Sequence, residues 1–163
     1  MDHQVSLLVD WFDGNGSPAS YEQIVGDIKT HSLDNGTLYV GSDSQFYNTG
    51  VILTSAIILH GADGQKGGRY FVNRRKLKPE AYRILAVRIL AEAEQTIDIA
   101  TRIVEEVPDI KIELHVDVSN TDKNEATSNL AKMVIGYVVG NGFDCKVKPD
   151  AFAAASVADK HSK

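Results

Sequence analysis

Apolar and polar positions alternate most cleanly from Ile110 to Val118. Ile110, Ile112, Leu114, Val116 and Val118 share one side, and Lys111, Glu113, His115 and Asp117 share the other. A period of two predicts a strand over 110–118 with one buried face. The β-branched and aromatic run Thr37-Leu38-Tyr39-Val40 predicts a strand over 37–43. Residues 50–60 carry apolar side chains at both parities, the pattern of a central strand covered on both faces. After the glycine-rich loop 61–68, residues 69–74 read as a third strand. These three runs, joined by short loops, predict an antiparallel meander. A last short strand is predicted over 143–147.

Helical spacing takes over elsewhere. Ser20-Tyr21-Glu22-Gln23 has capping-box spacing, and Tyr21, Ile24, Val25 and Ile28 follow on one helical face that ends near 31–36. Pro79 suits the opening of a long helix, predicted over 80–107 and ended by Pro108. On it Leu85, Ile89, Glu92, Thr96, Ile99 and Ile103 form one stripe, so a glutamate sits in a mostly apolar line. A further helix over 125–139 is closed by Gly140-Asn141-Gly142. A small-residue helix over 151–159 follows Lys148-Pro149-Asp150. At the other end, Val5, Leu7, Leu8, Val9, Trp11 and Phe12 read as a short strand or packed arm before the turn cluster 13–18.

The order is therefore a mixed α/β sheet of five strands, β-β-β-α-β-α-β-α, with an N-terminal helical extension. Residues 1–36 are expected to pack on a main domain of residues 37–163. The long helical crossover makes the 110–118 strand parallel to the 37–43 strand.

Composition narrows the class. A chain of 163 residues, 43% hydrophobic and 24% charged, has the balance of one soluble globular domain. No apolar run approaches the roughly 20 residues needed to cross a bilayer. The start shows no basic region followed by an apolar stretch, so no signal peptide is expected. Cys145 is the only cysteine, which excludes an internal disulfide or a cysteine-rich zinc site. It reads as an inert core residue, and a reducing, cytoplasmic location is expected. The net charge of −5 argues against coating nucleic acid by bulk electrostatics. Yet residues 66–88 hold Lys66, Arg69, Arg74, Arg75, Lys76, Lys78, Arg83 and Arg88 against Glu80 alone. That segment is either a phosphate-contacting surface or a solvated, salt-bridged helix start.

Candidate chemistry follows from the strand ends. In open α/β sheets, sites form beyond the carboxyl ends of parallel strands. Asp43 ends the first such strand and Asp117 the fourth, so parallel neighbours would set two carboxylates side by side. They repel unless a cation lies between them. Oxygen donors without cysteine suit Mg²⁺ or Mn²⁺. Glu92 would reach in from the crossover helix, with Glu94 as the substitute, and Asp159 from the last helix. Taken singly, Asp43 could be a turn residue, Asp117 a solvated strand acid and Glu92 an exposed partner of Arg88. His115, on the same strand side as Asp117, reads as a packed neighbour of the site.

The order of elements, with Asp43, Glu92, Asp117 and Asp159 at those places, resembles the ribonuclease H-like superfamily. Within it, Gly41-Ser42-Asp43-Ser44-Gln45, His115-Val116-Asp117-Val118-Ser119 and Lys148-Pro149-Asp150-Ala151 resemble the YkuK-like proteins of bacteria and phages. Glu92 and Thr96 fit that family's Glu-x-x-x-Thr spacing. The resemblance implies a two-metal nuclease site with Asp43, Glu92, Asp117 and Asp159 as ligands. Ser44, Gln45, Arg74, Arg75 and Lys76 are expected to contact the substrate, which would be RNA, an RNA–DNA hybrid or structured DNA. Two other classes stay open: a nucleic-acid- or protein-binding module on the same fold, and a nucleotide phosphatase or ATPase. The last lacks the Gly-x-x-x-x-Gly-Lys-Ser/Thr phosphate loop.

Overall fold

The computed structural model describes residues 11–47, 50–118, 125–153 and 157. The run before Trp11, and Asp159 with most of the predicted terminal helix, lie outside the described residues. In chain order the elements are β1 (Trp11–Asp13), β2 (Pro18–Ala19), α1 (Tyr21–Leu33), β3 (Thr37–Tyr47), β4 (Gly50–His60), β5 (Arg69–Leu77), α2 (Leu85–Glu106), β6 (Lys111–His115), α3 (Glu125–Gly140) and β7 (Asp144–Lys146).

They build a seven-stranded mixed sheet of order β2-β1-β5-β4-β3-β6-β7. The meander is antiparallel, with Thr37 opposite His60 and Leu59 opposite Arg69. β6 lies parallel to β3, Thr37 beside Lys111 and Gly41 beside His115, and β7 lies parallel to β6. The two strands beyond the expected five are β1 and β2, which extend the β5 edge. Three and two residues are too few to display a period, so only pairing with β5 reveals them.

Parity separates the two faces of the sheet. Leu38 and Val40 of β3, Ile57 and Leu59 of β4 and Leu114 of β6 join one core with Ile24 and Ile28 of α1, Ile99 and Ile103 of α2, and Val134 and Val138 of α3. On the other face Ala56 and Val72 pack with Tyr70 and Val157. Ser20 caps α1 through the expected reciprocal box with Gln23. At the helix's other end the buried His31 reaches the sheet. Its Nε2 lies 2.9 Å from the Thr37 carbonyl and 3.2 Å from that of His60. Carbonyls only accept, so this nitrogen carries the proton. Gly36 makes room for the ring, since a Cβ there would run into it.

Four boundaries differ from expectation. Asp43 does not end its strand: β3 runs on to Tyr47 because its pairing with β4 continues to Gly50, and β5 likewise runs on to Leu77 opposite Val51. α2 begins at Leu85, not near Glu80, because Pro79 starts a tight turn closed by the Tyr82 N–H. Ile84 then stays extended and offers no side-chain cap. The fourth predicted strand stops at His115, although the alternation runs on to Val118. The Val118 N–H donates to the Val116 carbonyl at 2.9 Å, a three-residue turn with Asp117 at its apex. No helix among the described residues is long and apolar enough to cross a membrane.

Candidate functional site

Beyond the carboxyl end of β6, against the part of β3 that runs on past their parallel pairing, lies a cavity of about 390 Å³. Asp43, Glu92 and Asp117 line it together with Ser44, Gln45, Leu85, Arg88, Ile89, Val118 and Lys148. Three of the four carboxylates singled out in the sequence thus meet at one place, and the fourth, Asp159, lies outside the described residues. Asp43 is carried by β3, Asp117 by the turn after β6, and Glu92 by the buried stripe of α2. Glu94, the substitute, is exposed.

α2 is held at the right height by hydroxyls. The Thr96 hydroxyl donates to the Glu92 carbonyl at 2.8 Å and lies 3.0 Å from Ser42 Oγ, which is itself 2.9 Å from Ser55 Oγ. This buried chain ties the helix to β3 and β4 one turn below Glu92. It is the physical content of the Glu92-x-x-x-Thr96 spacing.

Each of the three carboxylates meets a donor from the chain itself. Ser44 gives Glu92 Oε2 its hydroxyl at 2.6 Å and its backbone N–H at 3.2 Å. The Gln45 amide donates to Asp43 Oδ2 at 3.0 Å. Lys148 Nζ lies 2.7 Å from Asp117 Oδ1. Glu92 is only 6% exposed. Burial pushes its carboxyl up to about 8, the charges of Asp43 and Asp117 push the same way, and the Ser44 bonds oppose them.

The residues expected at the substrate divide. Ser44 and Gln45 line the cavity but turn to Glu92 and Asp43, as above. Asp43, Thr54 and Arg74 stand in register across β3, β4 and β5, as do Gln45, Ile52 and Lys76. Arg74 and Lys76 are therefore exposed cations on the Asp43 face of the sheet. Arg75 falls at the other parity, level with Ser44 and Leu53, and its Nε is buried without a hydrogen-bond partner among the described residues. The basic segment also splits: Arg69 pairs with Asp27 at the opposite end of β5, at 2.9 Å. Arg88 reaches the cavity with its guanidinium 4.4 Å from the Phe46 ring centre.

His115 is buried beneath the site. The Ala153 N–H can only donate, so His115 Nδ1, 3.1 Å away, accepts. Nε2 then carries the proton and meets Glu113 Oε1 at 2.9 Å. Tyr39 and Phe152 pack on the ring, at 4.9 Å and 4.7 Å between centres. Cys145 is partly buried against the core, and burial pushes its thiol up to about 11.

Sequence reasoning passed over Lys148 as a site residue. Its place depends on the β6–β7 register, which sets His115 level with Lys146 and hence Lys148 near Asp117, and the sequence alone does not show that register. The Lys148 N–H does donate to the Val118 carbonyl at 2.9 Å. For a divalent ion the donor type fits. Three carboxylates converge on one cavity, and burial makes Glu92 costly to ionise until something positive lowers that cost. The placement is not preassembled: no three of His, Cys, Asp or Glu stand as a ready metal cluster among the described residues.

No curated protein and no solved structure matches the chain. A family model described as ribonuclease H-like matches residues 19–163, a span holding β3, the α2 crossover, β6 and all the site residues above. The mixed sheet agrees with that match, and the chain belongs to the ribonuclease H-like family.

Proposed function

We propose that the protein is a divalent-metal-dependent nuclease. It hydrolyses phosphodiester bonds in RNA, an RNA–DNA hybrid or structured DNA by a two-metal mechanism. The observation that carries this reading is the convergence of Asp43, Glu92 and Asp117 on one cavity just past the parallel pairing of β3 with β6. Mg²⁺ or Mn²⁺, held by these three and Asp159, would supply the charge that activates water and stabilises the departing oxygen.

The chain's own residues set the stage for that chemistry. Ser44 orients Glu92 through two bonds to one oxygen, leaving the other for a ligand. Gln45 orients Asp43 through its amide bond to Oδ2. Leu85, Ile89 and Val118 form an apolar wall that excludes water from one side of the cavity. Arg74 and Lys76, exposed on the Asp43 face, are placed to bind backbone phosphates and so fix the register of a strand.

One observation favours a second reading, a non-catalytic binding module for nucleic acid or protein. Ser44 and Gln45 already hydrogen-bond Glu92 and Asp43, and the Lys148 ammonium already faces Asp117, so charge and donors within the chain meet the carboxylates without a metal. Cleavage assays with Mg²⁺, Mn²⁺ and EDTA over a broad nucleic-acid panel decide between the two. The nuclease reading expects metal-dependent cleavage by the wild type, lost in Asp43→Asn. It also expects weaker substrate binding in Arg74→Ala and Lys76→Ala, each lowering the salt dependence by about one counterion. If wild type and Asp43→Asn are equally inert while nucleic acid binds without divalent ions, the binding module stands instead.

A further inference from the structure

The Lys148 ammonium occupies the acidic cavity from the β7 side. Its nitrogen is 2.7 Å from Asp117 Oδ1, and it shares the cavity wall with Asp43 and Glu92. The main chain around it is pinned to the segment that carries Asp117. The Lys148 N–H donates to the Val118 carbonyl, and the Val116 N–H donates to the Lys146 carbonyl, both at 2.9 Å. The side chain is not pinned, being 51% exposed against 22% for Asp117. It can therefore leave without disturbing the core.

From this we infer that Lys148 is a built-in counter-ion. It holds Asp117 when no metal is bound, competes with a divalent ion for that carboxylate, and so sets the affinity of the site. The inference rests on reading the cavity as a metal site. Its physical ground is that one carboxylate oxygen cannot closely face an ammonium and a divalent cation together, since the two cations repel. Lys148 would thus be a positioning residue for Asp117, with metal affinity as its readout.

Calorimetric titration with Mn²⁺, and melting with and without Mn²⁺, test this on wild type, Lys148→Met, Lys148→Arg and Asp43→Asn. Lys148→Met is expected to bind Mn²⁺ roughly tenfold more tightly than wild type. It should melt lower than wild type without metal and recover the difference with saturating Mn²⁺. Lys148→Arg keeps the charge and should stay near wild type. If Lys148→Met does not fold, Lys148→Gln carries the same expectation. Unchanged or weaker binding in the neutral variant, beside wild-type binding that Asp43→Asn abolishes, overturns the counter-ion role and leaves the metal site standing. Absence of Asp43-dependent binding in wild type and neutral variant alike overturns the metal reading, and the counter-ion role with it.

Discussion

Ser44 donates both its hydroxyl, at 2.6 Å, and its backbone N–H, at 3.2 Å, to a single oxygen of Glu92. One residue of β3 thereby holds the buried Glu92, while its neighbour in sequence, Asp43, supplies a second buried acid. The arrangement makes the protonation of Glu92 visible in the stability of the whole protein.

The sign follows from linkage. The Glu92 carboxyl is raised to about 8 in the folded chain, mainly by burial, from an ordinary value of 4.5. Between those values the folded state keeps a proton that the unfolded state has lost. The contribution is thus fully present below 4.5 and is lost as pH rises through about 8. In EDTA, the melting temperature of wild type should fall across this window. Glu92→Gln should flatten that fall and be the more stable protein at alkaline pH. Ser44→Ala should steepen it, costing about 1–3 kcal/mol where Glu92 is ionised. Parallel pH curves for wild type and Glu92→Gln would remove Glu92 as the titrating group.

His115 acts in the opposite direction. Burial lowers it below its ordinary 6.5, against the raising effect of Glu113. The unfolded chain takes up a proton first as pH falls, so this stability is present above 6.5 and is lost on acidification below it. Protonation at Nδ1 would also put two donors face to face, the ring and the Ala153 N–H. In a Glu92→Gln background, where the other titration is gone, stability should drop from pH 7.5 towards pH 5.5, and His115→Gln should lack the drop. Amide exchange at Ala153 should quicken over the same range. Constant exchange there would show that the His115 bond does not hold that segment.

Gly36 and His31 form a pair that can be tested away from the cavity. Any Cβ at Gly36 meets the His31 ring, so Gly36→Ala should destabilise by about 1–3 kcal/mol through overpacking. With His31→Ala already in place the same change should cost far less, a coupling that a double-mutant cycle in denaturant reads directly. Additive losses would place the strain elsewhere. Mn²⁺ binding should be unaffected by Gly36→Ala, because His31 sits at the Thr37 end of β3 and the carboxylates beyond the other.

Where local signals were strong, the structure was legible in the chain. Alternation at 110–118 and double-sided apolarity at 50–60 marked strands because sheet pleating imposes a period of two. The stripe on α2 placed Glu92 inward and Glu94 outward because a helix turns about 100° per residue. The start of α2 was misplaced because its first turn carries neither a capping side chain nor an acid, while Pro79 imitates a helix start. The end of β6 was misplaced because a three-residue turn leaves the alternating pattern intact.

The sequence by itself determined a mixed α/β domain with Asp43 and Asp117 carried by two neighbouring parallel strands and Glu92 on the inner stripe of the crossover. All of that follows from periodicity and from the long right-handed route a parallel connection takes. The tertiary structure alone decided that Ser44 meets Glu92 and Lys148 meets Asp117, whereas Gln45 shares a strand face with Asp43 by period alone. It also decided that the basic segment divides between two ends of β5. Such pairings join groups up to 48 residues apart, as Ser44 and Glu92 are, and no local pattern encodes them. They depend on strand register and on how deep a helix sits on the sheet, which only the packed core sets.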